Sequence, residues 1–171
     1  MARRLDLLAV VAALALAPAT HAQTREIGRA GLWHIQASDG DCTALYKYPD
    51  TDILVALIYP QPGKNPNAAL MITSDKLFSD AKDRAPYPAR LVLTDDAAFD
   101  TSWHAVVPTG ITLRDTTHGI RIAAPAEAFG DSLAKAEALR LEGIGRGTVA
   151  LNVGDMQVMI DALRKCVAPG Q

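Results

Sequence analysis

Three adjoining segments decide the fold class: Leu139-Arg140-Leu141-Glu142, the glycine run Gly143-Ile144-Gly145-Arg146-Gly147, and Val149-Ala150-Leu151-Asn152-Val153. In the first and the last, apolar and polar residues alternate, which is the period-two signature of a half-buried strand. The glycine run between them reads as the turn. After Val153 the period changes. Met156, Met159, Leu163 and Cys166 recur at steps of three and four, one face of a helix, with Asp155 placed to serve as N-cap. A hairpin leading into a C-terminal helix is the expected result.

Working outward, the same two periods cover most of the chain. Ala126, Phe129, Leu133 and Ala136 are spaced for a short helix near 126–136, with Pro125 in its first turn. Gly130 weakens that helix by about 1 kcal/mol relative to alanine. Ile111 and Leu113 alternate with polar neighbours, as do Ile120 and Ile122, and Asp115-Thr116-Thr117-His118-Gly119 reads as the turn of that hairpin. Ile53–Tyr59 is nearly all apolar and predicts a strand buried on both faces. Leu70-Met71-Ile72 and Leu91-Val92-Leu93 are further strand cores, while Pro60–Asn67 and Asp80–Pro88 read as loops. Leu32–Ala37 and Cys42–Tyr48 flank Ser38-Asp39-Gly40-Asp41, a primed-turn signal. Short connections make the strands antiparallel. The fold class is therefore mainly β, with α+β as its variant. The expected form is an antiparallel β-sandwich-like domain carrying the short helix and a C-terminal helix packed on the sheet.

The first 22 residues have a different character. Arg3 and Arg4 precede the apolar run Leu7–Ala17, Pro18 ends the run, and Thr20-His21-Ala22 places small residues at −3 and −1. This is the layout of a cleaved secretory signal peptide, with the cut between Ala22 and Gln23. The run is too short for the roughly 20 residues that span a bilayer, and no later stretch is longer. Residues 23–171 are expected to form a single globular domain, periplasmic or secreted. Losing Arg3, Arg4 and Asp6 takes the formal charge from −2 to −3, without the basic excess of a nucleic-acid binder. Export also puts Cys42 and Cys166 in an oxidising compartment, where the pair is expected to bond.

Few residues suggest chemistry. Asp100-Thr101-Ser102-Trp103-His104 is the one segment that mixes an acid, a hydroxyl and an imidazole. Asp100, Ser102 and His104 are thus the candidate residues of a hydrolase, which would need them to converge in space. The competing reading is a loop entering a strand, with Trp103 as a core anchor. The glycine run lacks the following helix that a phosphate loop requires. Asp39/Asp41 and Asp50/Asp52 lack the remaining ligands of a calcium loop. His34, His104 and His118 share no metal-ligand spacing, and no cofactor is expected.

Phe129-Gly130-Asp131-Ser132-Leu133, Ala138-Leu139-Arg140-Leu141, Val149-Ala150-Leu151-Asn152-Val153, Gly154 and Ala162-Leu163-Arg164-Lys165-Cys166, with the early Trp33 and Cys42, form one pattern. It resembles the invasion-associated locus B family of small exported bacterial proteins. The resemblance implies a β-sandwich-like exported domain, in a family named for a link to the invasion of host cells. It brings no catalytic residues to carry over. Taken together, the readings point to a non-enzymatic envelope protein that binds a partner protein or a ligand. A periplasmic hydrolase and an inhibitor- or chaperone-like module are the alternatives.

Overall fold

The two periods become strands and helices in the expected order. A computed structural model describes residues 24–80, 86–93, 103–106, 118–144 and 147–168. The strands are β1 (Arg25–Ala30), β2 (Trp33–Ser38), β3 (Asp41–Lys47), β4 (Leu54–Tyr59), β5 (Asn67–Thr73), β6 (Pro86–Val92), β7 (Trp103–Val106) and β8 (Gly119–Pro125). Helix α1 (Ala126–Lys135), strands β9 (Leu139–Ile144) and β10 (Gly147–Leu151) and helix α2 (Met156–Val167) follow. All described pairings are antiparallel, in the spatial order β1-β2-β3-β4-β5-β8-β7-β6-β9-β10. Among the described residues a single residue pair, Val106 with Arg121, joins β7 to β8. That weak seam divides the strands into a six-stranded sheet, β1 to β5 with β8, and a smaller sheet built on β6, β9 and β10. The result is a mainly β, sandwich-like α+β fold.

Register explains which side chains meet. Cys42 pairs with Tyr59, Ala44 with Leu57 and Tyr46 with Val55. Leu57 in turn faces Leu70, and Leu70 faces Ile122. These residues share one face of the large sheet with Trp33 and Ile35, and all are buried in one cluster. Helix α2 lies on this face against β1 to β4, and α1 lies against β5 and β8. Phe129, Leu133, Met159, Ile160 and Leu163 reach the cluster from the helices, and Leu91, Leu139 and Leu141 from the smaller sheet. On the opposite face of β4 and β5, Leu54, Ala56, Ala69 and Met71 are buried as well. The apolar run at 54–59 is thus a central strand covered on both sides.

Local structure departs from or extends the sequence pattern at several points. Strand β1 exists because it pairs with β2 at the edge, where Arg25, Glu26 and Arg29 are exposed in place of an apolar alternation. Strand β6 begins inside the expected loop. Its prolines are tolerated because a bulge lies between Tyr87 and Arg90 and pairing with β9 starts only at Arg90. Strand β8 makes its long pairing with β5, over seven residue pairs, whereas the expected hairpin arm at 111–114 lies outside the described residues. Asp155 precedes α2, but in the left-handed region (φ +36°) and without a side-chain capping bond. Helix α1 begins at Ala126, whose amide donates to the Pro66 carbonyl at 2.8 Å, satisfying one of the helix's open N–H groups.

Candidate functional site

The stripe at the end of α2 meets the inner face of β3, and there the two cysteines bond. Cys42 and Cys166 form a disulfide with Cα atoms 6.2 Å apart, inside the usual span for such bridges. Cys42 is buried, while Cys166 is half-buried. Sequence spacing alone aimed Cys166 inward; the register of β3 explains why Cys42 is the residue it meets.

Two cavities flank this bond. The larger, about 660 Å³, lies among Thr24, Arg25, Ser38, Asp39, Gln61 and Ala168, with both cysteines in its wall. Its rim is built by the β2–β3 turn. Asp39 and Gly40 both take positive φ, +52° and +85°, the backbone of the primed turn that Asp-Gly predicts. The 60–67 loop is fastened to this turn. The Gln61 amide donates to Asp41 Oδ1 at 3.3 Å, and the Lys64 ammonium donates to the Asp39 carbonyl. The smaller cavity, about 210 Å³, lies on the other side of Cys166, between β1 and α2.

Behind the disulfide an ion cluster fixes α2 to α1. Arg164 reaches Asp131 at 2.6 Å and Glu127 at 3.5 Å. The hydrogen bond and charge of Arg164 hold Asp131 below the ordinary carboxylate range, and Asp131, with Tyr59, holds the guanidinium pKa above its usual value. Tyr59 Oη and Arg164 Nε are both buried here. Gly130 leaves room for both: a Cβ there would stand 3.2 Å from each side chain. This packing role offsets the helix weakness that glycine brings.

A second polar constellation was invisible in the sequence. His118 Nδ1 lies 2.9 Å from Asp75 Oδ1, and the His118 backbone amide donates to the same oxygen at 2.9 Å. An acid-oriented imidazole is half of a general-base arrangement, which also needs a nucleophile. Ser74 is next in the chain but is fully buried. Its hydroxyl accepts from the Leu77 amide at 3.1 Å and bonds Asp52. Burial pushes Asp52 up, but the bonds from the Lys76 amide and Ser74 outweigh it, so its pKa lies below the ordinary range. This polar group therefore pins turns together at the ends of β5 and β8. Asp75 and His118 are 43 positions apart, which no motif spacing could signal.

The expected site residues fare differently. Asp100 and Ser102 lie outside the described residues, as do Ala22 and Gln23. His104 is on β7, paired with Arg90 of β6; its side chain is not described. His34 sits half-buried on β2, on the face turned away from α2. Among the described residues no group of three or more histidine, cysteine or acidic side chains is placed to hold a metal. No described helix is long and apolar enough to cross a membrane.

No family model, curated protein or solved structure matches this chain. The resemblance to the locus B family therefore rests on the quoted residues alone.

Proposed function

We propose that this chain is an exported, non-enzymatic envelope protein, periplasmic or secreted, that acts as a binding or accessory module of the invasion-associated locus B kind. The supporting observation is the cleft of about 660 Å³ beside the Cys42–Cys166 bond. Its walls come from four separate parts of the chain that the disulfide and the fastened 60–67 loop hold in place. Such preorganisation lowers the ordering cost of binding. The disulfide also suits an oxidising compartment.

The test is in-cell photo-crosslinking from Thr24 and Ser38, which line the cleft, with Gln157 on the exposed side of α2 as control. One envelope partner captured from the first two positions and not from the third is the expected result. Equal capture from all three, or none from the cleft, overturns the reading. On the same reading His104→Ala leaves the cellular phenotype unchanged. A loss of function in that variant, with its stability intact, would instead favour a hydrolase at Asp100, Ser102 and His104.

A further inference from the structure

Strand β1 ends the strand order, so no described strand pairs with its outer edge. A free edge presents a row of unpaired N–H and C=O groups, which is a template for a further strand. The side chains of this edge are open as well. Arg25, Glu26, Ile27 and Arg29 are exposed, and Ile27 is one of three large hydrophobic side chains exposed among the described residues, with Leu32 of the β1–β2 turn and Val158 of α2.

A bulge decides where these side chains point. Glu26 pairs with Gln36 of β2 and Arg29 with His34, and the register shifts between Glu26 and Gly28. In a regular strand, residues three apart point to opposite faces. The bulge adds one residue, so Glu26 and Arg29 share the face turned away from α2, as Gln36 and His34 do. Neither has an ion-pair partner among the described residues. Gly28, in the bulge, adopts φ +145°, and a Cβ there would touch nothing within 4 Å.

We propose that two copies of this chain pair by their β1 edges, antiparallel about a two-fold axis between Ile27 and Gly28, with Glu26 of each copy opposite Arg29 of the other. A two-fold interface uses one patch twice, so the patch must be self-complementary. This edge meets that demand in this register. Opposite residues of an antiparallel pair share a face, and Glu26 and Arg29 share one only because of the bulge. The axis also sets one bulge against the other, whereas other registers set a bulge against regular strand. Ile27 of each copy falls over Gly28 of the other, where the missing side chain leaves space. Charges on an edge usually deter pairing; here the two opposite-charge pairs select one register, and main-chain bonds with Ile27 supply affinity. Continued past the strand, the register brings Gly31 of the second copy opposite Thr24, so that its exposed Leu32 comes to the mouth of the larger cleft. Self-association of this kind stands whether or not the cleft binds a further protein.

Six residues from each copy make a small interface of the weak, transient class. The measurement is therefore sedimentation velocity of the exported protein at concentrations up to about 1 mM. A monomer–dimer equilibrium is expected. Glu26→Arg and Arg29→Glu, both at exposed positions, each set like charges against one another. Each should weaken the dimer by about tenfold, or about 1.4 kcal/mol, without lowering thermal stability. The double variant Glu26→Arg/Arg29→Glu restores opposite charges and should recover the dimer. An equimolar mixture of the two single variants should do the same, because their cross-pairing sets opposite charges together at both positions. A monomer at every concentration overturns the proposal, as does a dimer that neither single variant weakens. Weakened single variants with no recovery in either the double variant or the mixture overturn it too, since the two charges would then act without facing each other.

Discussion

Single side chains account for several departures from the simple strand pattern, and Tyr87 is the most testable. It opens β6 among prolines, is nearly buried, and packs edge-on against Phe78 with ring centroids 5.7 Å apart. Its hydroxyl donates to Asp80 at 2.8 Å. Burial, reinforced by the bond to Asp80 and its charge, pushes the phenol up to about 12, against about 10 in an unfolded chain. The folded state therefore prefers the neutral phenol. Tyr87 contributes stability in full below pH of about 10 and loses it as pH rises from there toward its folded value. In Tyr87→Phe the hydroxyl bond is gone, at a cost of about 1 kcal/mol near neutrality. The gap between wild type and variant should then close as pH rises above about 10. Urea midpoints measured at pH values on both sides of that point check this. A gap that stays constant with pH would show that the hydroxyl's ionisation is not linked to folding.

Among the elements, α2 carries the most consequence. Its buried stripe, Met156, Met159, Ile160, Leu163 and Val167, was legible as a period, and its end was legible as a disulfide partner. The ion cluster on its other side was not, because Glu127 and Asp131 lie 37 and 33 positions from Arg164. The same division holds for the strands. Alternation revealed the half-buried β2, β3, β9 and β10, and a continuous apolar run revealed β4. Strand β1 escaped because an edge strand need not alternate, and the start of β6 escaped because prolines mark loops until a bulge accommodates them. Nothing local indicated that β8 pairs with β5. For α2 the stripe and the disulfide do different work. Removing the bridge by Cys42→Ala/Cys166→Ala should cost about 2–5 kcal/mol, read from urea unfolding. Helical circular dichroism should stay unchanged in the absence of urea, because the stripe still docks the helix. Loss of the helical signal would mean that the bridge alone holds α2 to the sheet.

At the scale of the whole molecule, the first described residues and the cleft occupy one place. Thr24 and Arg25 line the larger cavity, and Arg25 opens the edge strand. The expected cut after Ala22 leaves Gln23 and Thr24 ahead of β1, so every β1 residue stays in the exported chain. On the proposed reading, that cut would remove the 22 residues that precede Gln23. Amino-terminal sequencing of the exported protein should read Gln-Thr-Arg-Glu, and its intact mass should fit residues 23–171. Thiol alkylation before reduction should add nothing to that mass, since both cysteines are bonded. A start at Met1 would overturn the leader.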